Sequence, residues 1–195
     1  MKYARALLCA FLFVTGCGTP PQERFFTLTS EAPSPASFNS ASPAFVVMVG
    51  PVTIPDVVDR PQLVLRTSPN RVEIAEQARW AAPLKNEIAR VVADHLAQRL
   101  PGSRTATSVE RAAGTPDYRV LIDVQRFEST PQEGATVQAS WTVQTRDGSA
   151  LNGRSLVSEP AGAGYDALVA AHSRALATVS RDIAATIATA RGQKP

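Results

Sequence analysis

The order of patterned segments in this chain predicts an α+β fold, a mostly antiparallel β-sheet with two amphipathic helices packed on one face. Three observations carry that expectation. Apolar residues recur at three-to-four spacing over 84–100 and again over 168–187, the period of a helix buried on one side. Apolar and polar residues alternate with period two in several shorter runs, as in a strand with one face covered. The turn dipeptides Pro69-Asn70, Glu133-Gly134 and Asp147-Gly148 separate those runs, so that strands, helix, strands and helix follow one another.

At the start, Lys2 and Arg5 precede an apolar run from Ala6 to Val14. That run is far shorter than the roughly 20 residues a membrane-spanning helix needs, so it reads as the core of a signal peptide over residues 1–16. Val14-Thr15-Gly16-Cys17 resembles the lipobox of bacterial lipoproteins. The resemblance implies that Cys17 is diacylated on sulfur, becomes the first residue after cleavage and anchors the chain; the alternative is a stray Cys at the end of a secretory signal. Two or three acyl chains, at about 0.8 kcal/mol per buried methylene, hold a protein on a membrane almost permanently. Gly18 stands where inner-membrane lipoproteins commonly carry Asp, which implies the periplasmic face of the outer membrane.

Residues 17–43 read as a lipidated Cys and a flexible tether, rich in Pro, Ser and Ala, that contains one short strand. That strand is Phe25-Phe26-Thr27-Leu28, an aromatic and β-branched run expected to dock on the body as an edge. Residues 44–192 form a single α+β domain, and 193–195 a tail.

Phe45 to Val52 is almost continuously apolar and fits a strand covered on both faces, at the centre of the sheet. Pro55 and Pro61 make the next stretch a loop. Gln62–Arg66 and Arg71–Ala75 alternate around Pro69-Asn70 as a hairpin. Pro83 opens the first helix; Leu84, Ile88, Val91, Val92, Leu96 and Leu100 line its buried face, and Pro101-Gly102 ends it. Lys85, Glu87, Arg90 and Asp94 are expected on its solvated face. Tyr118–Phe127, Ala135–Thr145 and Leu151–Val157 read as a three-strand meander. After the loop Gly162-Ala163-Gly164, a second helix repeats Leu168, His172, Leu176, Val179, Ile183 and Ile187 and ends near Gly192.

Composition narrows function. The formal charge is +3, but removing Lys2 and Arg5 with the signal leaves 18 basic residues against 17 acidic, with no basic stripe for nucleic acid. With Cys9 in the signal and Cys17 carrying lipid, no disulfide can form in the mature chain. His95 and His172 stand alone on the two helices, without a second ligand one turn away, so no metal or other cofactor is expected. Each reads as a polar or half-buried helix residue. A Ser-His-Asp triad dispersed in sequence stays open, yet no Gly-x-Ser-x-Gly elbow, phosphate loop or dinucleotide fingerprint accompanies them. No catalytic residue is assigned and no enzyme is expected. Trp80, just before the first helix, either staples the incoming chain or anchors a partner.

Phe25-Phe26-Thr27-Leu28, then Val49-Gly50-Pro51-Val52-Thr53-Ile54-Pro55 with Asp59-Arg60-Pro61-Gln62-Leu63-Val64, then Arg79-Trp80-Ala81-Ala82-Pro83-Leu84 resemble the PqiC/YmbA family of ABC-type transport auxiliary lipoproteins. The family motif commonly has an acidic residue where this chain has Ala82, so no carboxylate role transfers there. The resemblance implies a non-enzymatic subunit of an MCE-type (mammalian cell entry) lipid transport system. Its partners would be an MCE-domain protein spanning the periplasm and the associated inner-membrane permease, with a homo-oligomeric ring left open. It would sit in the outer membrane and support envelope integrity. The alternative is a lipid carrier with an apolar pocket between helices and sheet. Cys17 is the expected anchor; Arg60 and Trp80 are expected to shape the docking surface, unless Arg60 only pairs locally with Asp56 or Asp59.

Overall fold

A computed structural model describes residues 22–30, 44–108 and 115–192. The expected signal peptide, Cys17, most of the tether and the tail lie outside the described residues.

Among the described residues, eight strands form one sheet and two helices cover one of its faces. The strands are β1 (Arg24–Phe26), β2 (Phe45–Thr53), β3 (Gln62–Ser68), β4 (Arg71–Trp80), β5 (Ser103–Thr107), β6 (Tyr118–Thr130), β7 (Gly134–Thr145) and β8 (Ala150–Pro160). The helices are α1 (Leu84–Arg99), between β4 and β5, and α2 (Tyr165–Gly192), after β8. The α+β class holds, as do the hairpin, the meander and both helices.

β6 organises the sheet. One of its edges pairs antiparallel with β7 along nearly the whole strand, and β7 continues into β8. The other edge is shared: β2 runs parallel to its first half, up to Asp123, and β3 meets it only at Leu65 opposite Ser129. The sheet therefore forks, and the loop 54–61 lies where β2 and β3 part. Beyond β3 come β4, antiparallel, and then β1, parallel to β4 at the edge; beyond β2 comes β5, also parallel. Antiparallel pairs carry most of the paired residues, but the sheet is mixed.

α1 packs over β2 and β5, α2 over β7 and β8, and the helices touch each other. Between them and the sheet Val47, Val49, Ile88, Val92, Ile183 and Ile187 are wholly excluded from water. Alanines and serines on α2 allow the close approach. The buried Ser173 and Ser180 hydroxyls donate to carbonyls four residues back, Val169 O at 3.0 Å and Leu176 O at 2.7 Å, so neither is left unpaired. Across β7 and β8 the Trp141 indole lies on Gly153, where a Cβ would come within 2.4 Å of the ring, and its Nε1 donates to Thr186 Oγ1 at 3.2 Å.

Two strands go beyond what the sequence predicted. Ser103–Thr107 forms β5 although its sequence has no apolar alternation; parallel pairing to β2 makes it a strand. β4 continues past Ala75 to Trp80 through good helix formers, because β1 pairs with its last three residues. Leu28, in the run expected to dock on the body and just beyond the end of β1, is among the most buried side chains of the protein.

Candidate functional site

The segment 27–30, which follows β1, is strapped to both helices. Glu87 sits three residues after Leu84 and four before Val91, which places it at the edge of the apolar stripe of α1 rather than in water; it is 7 % exposed. Its Oε2 accepts from Thr27 Oγ1 at 2.6 Å, from Leu28 N at 3.0 Å and from Arg90 Nη2 at 2.9 Å. Arg90 Nη2 also donates to Leu28 O at 2.7 Å, and Thr29 N donates to Ser173 Oγ on α2 at 3.1 Å. Burial opposes ionisation of Glu87, but the bonds from Thr27 and Arg90, the charge of Arg90 and the Leu28 amide together outweigh it. The carboxyl is therefore held below its usual range, ionised wherever the protein is folded near neutrality. This corrects the expectation of a solvated Glu87. The stripe spacing was the available signal; its partner, some sixty residues away, had none.

Trp80 ends β4 with its backbone N donating to Pro61 O at 2.7 Å, so the chain around Arg60 and that around Trp80 lie side by side. The indole, however, is 7 % exposed and turns into the core, where it meets Phe127 edge-on at 6.1 Å between centroids. It cannot touch a partner directly, and any part it has in docking runs through the β4–α1 junction that it fixes. Arg60 is half-buried and forms no ion pair among the described residues; Asp59 pairs instead with Lys85 at 3.1 Å. The expected local pairing of Arg60 is thus absent.

On its other side Phe127 stacks on His172, 3.8 Å between ring centroids and 7° from parallel. His172 is completely buried and bonds Ser129 Oγ through Nε2 at 2.8 Å, while Nδ1 has no partner. Burial lowers its pKa to about 3. A proton on Nδ1 would have nothing to receive it, so the ring stays neutral. His95 is buried as well. Neither is the half-exposed residue the sequence suggested: both lie inside the apolar stripes of their helices. Among the described residues the Ser129–His172 pair has no carboxylate on Nδ1, and the ring is completely buried, so it does not assemble a nucleophilic triad.

On the sheet face away from the helices, a groove of about 170 Å³ lies in the fork, bordered by Pro55, Val57, Val64, Val72 and the stretch Gln125–Ser129. Glu128 accepts there from Arg66 at 2.8 Å and from Arg126 at 2.6 Å, giving the wall a net positive charge. Towards the meander that face is a ladder of amides and hydroxyls: Gln125 bonds Ser140 at 2.9 Å, Gln138 bonds Gln125 at 2.9 Å, and Thr142 bonds Asn152 at 2.7 Å. Among the described residues no group of three His, Cys, Asp or Glu side chains is placed to hold a metal ion.

Against known proteins, residues 26–184 match the family described as the ABC-type transport auxiliary lipoprotein component. No curated protein matches the sequence. A crystal structure of an uncharacterized protein superposes with a TM-score of 0.72 at 20 % identity, over 85 % of this chain and 99 % of that one. A protein of the DUF330 family from Xanthomonas campestris superposes with a TM-score of 0.61 at 21 % identity, over 82 % of this chain and 92 % of the other. At such identities the likeness is one of fold.

Proposed function

The chain belongs to the family of ABC-type transport auxiliary lipoprotein components, and from that premise we propose that it is a docking subunit anchored at the periplasmic face of the outer membrane by lipid on Cys17. There it receives a periplasm-spanning MCE-domain protein whose inner-membrane permease belongs to the same lipid transport system, and so supports envelope integrity. Its body performs no chemistry; Arg60 and the junction fixed by Trp80 shape the docking surface. The observation that carries the reading is the strap. Seven residues after Cys17 the chain enters β1, and a buried carboxylate with its arginine then fastens it to α1. A lipid anchor joined so directly to a rigid body keeps that body at one surface, where its effective concentration for a partner arriving there is high.

Cross-linking in cells followed by identification of the trapped protein tests this. An MCE-domain protein recovered with the wild-type chain, and lost with Cys17→Ser or Arg60→Glu, is the expected result; lipid recovered with no envelope protein overturns it. The lipid-carrier alternative needs space between helices and sheet, and that space is filled by side chains. Native mass spectrometry of the delipidated body is expected to give the protein mass alone, and shows in the same experiment whether it forms a ring.

A further inference from the structure

Five large apolar side chains are conspicuously exposed among the described residues, and four gather in one region: Phe25, Val57, Val72 and Ile74, with only Leu156 elsewhere. Register places Val72 and Ile74 side by side on one face. Val64 pairs with Ile74 and Arg66 with Val72, so these four share one face of the β3–β4 hairpin. Phe25, 64 % exposed, pairs with Arg79 on the next strand, and Val57 borders the groove that Val64, Arg66 and Val72 line. This is the face away from the helices.

The chain that follows Cys17 joins the sheet on this side of the fork, at the edge beside β4. From Cys17 to Arg24 the chain spans seven residues, which reach at most about 25 Å when fully extended. A compact domain of this size has a radius of gyration of about 15 Å and hence a diameter of about 40 Å, so the bilayer lies within less than one protein diameter of β1. Because β1 is parallel to β4 and Arg24 pairs with Ala78, the chain enters β1 from the side of the hairpin turn that carries Val72 and Ile74, four residues along β4 from Ile74. The groove between them carries two arginines for one glutamate.

We propose that the exposed apolar face of β1, β4 and β3, with the arginine-walled groove in the fork, rests on the surface of the membrane that holds the anchor. Phe25, Val72, Ile74 and Val57 enter the headgroup boundary, and Arg66 and Arg126 meet lipid phosphate. The lipid then holds the body near the bilayer and this face fixes its orientation, turning the helix side of the sheet toward the periplasm. The proposal rests on the anchor reading of Cys17, and one experiment separates the two.

Full-length protein purified from membranes is reconstituted in vesicles of phosphatidylethanolamine and phosphatidylglycerol. Single-cysteine variants Val72→Cys and Leu156→Cys carry an environment-sensitive nitrobenzoxadiazole label; doxyl-labelled lipid is the quencher. With Cys17 acylated, the wild-type chain floats with the vesicles and takes no label. The label at 72 is expected to shift to the blue and lose intensity to the quencher, and the label at 156 to do neither. Ile74→Asp in the Val72→Cys chain should restore the aqueous signal. If the chain floats unlabelled but positions 72 and 156 behave alike, the membrane face is wrong while the anchor stands. If the wild-type chain labels at Cys17 and does not float, the anchor reading fails and the membrane face with it. A signal at 72 that shifts only in native membranes and never in lipid vesicles assigns the face to a protein partner, which also overturns the proposal.

Discussion

The meander of β6, β7 and β8 and the wing of β1, β4 and β3 belong to one sheet, yet they are built differently. In the meander each strand pairs with its chain neighbour over its whole length, one face lies under α2 and the other is a polar ladder. The wing meets β6 at a single register pair. What joins it to the rest is side chains: Trp80 against Phe127, Phe26 against Tyr165 at 5.9 Å, and the strap on Glu87. The meander is therefore framework, held by backbone pairing and burial. The wing is held by a few specific contacts, and it is where the proposed anchor would join the body and where apolar surface stays exposed.

If this division is right, damage to the helix–sheet core costs most. Ile183→Ala removes a wholly buried side chain from the layer that α2 presents to the sheet and should cost about 2–5 kcal/mol, read as a lower urea midpoint with both arms affected together. Glu87→Ala should cost about 2–3 kcal/mol, because it deprives the Leu28 amide and Arg90 of their acceptor. Its distinguishing sign is local: amide exchange should accelerate over 24–30 and 76–80 well before the meander responds. Uniform acceleration would show that the wing is no separate unit.

This contrast also explains what was legible in the sequence. The meander was, since local antiparallel pairing leaves its mark in alternation and in turns such as Glu133-Gly134. The wing and β5 were legible only in part. β5 and the last three residues of β4 are strands because a parallel partner distant in the chain pairs with them, and nothing in Ser103–Thr107 or Ala78–Trp80 advertises it. The strap was hidden for the same reason, although the position of Glu87 at the edge of an apolar stripe was a signal for a buried charge in need of partners. Trp80 was correctly placed at the junction before α1, but the indole direction depends on Phe127, far along the chain.

The pH dependence should fall on the contact between the two arms. His172 titrates at about 3 in the folded protein against an ordinary 6.5, so the unfolded chain takes up a proton that the folded chain refuses. Stability is then full above about pH 6.5 and declines as pH falls toward 3, by about 1.4 kcal/mol per unit. Between pH 7 and 5 the loss should be on the order of 2 kcal/mol. The lowered carboxyl of Glu87 adds a loss of the same sign at lower pH. His172→Gln keeps a neutral partner for Ser129 and should flatten the urea midpoint between pH 7 and 5. An unchanged slope would mean that this stack does not control the response.

The smallest effect is expected where the wing's loop meets α1. Lys85 and Asp59 form an ion pair at 3.1 Å with both side chains nearly half exposed, in the loop that leads to Arg60. Such a pair gains little in water, pays side-chain entropy and is screened by salt, so Lys85→Ala should change stability by less than about 1 kcal/mol. Partner recovery by cross-linking is a separate readout. If it falls in Lys85→Ala while the urea midpoint holds, the loop 54–61 serves docking rather than folding. If both hold, the docking surface lies elsewhere on the wing; if the midpoint falls by several kcal/mol, the loop is part of the framework and the division between the two arms is drawn in the wrong place.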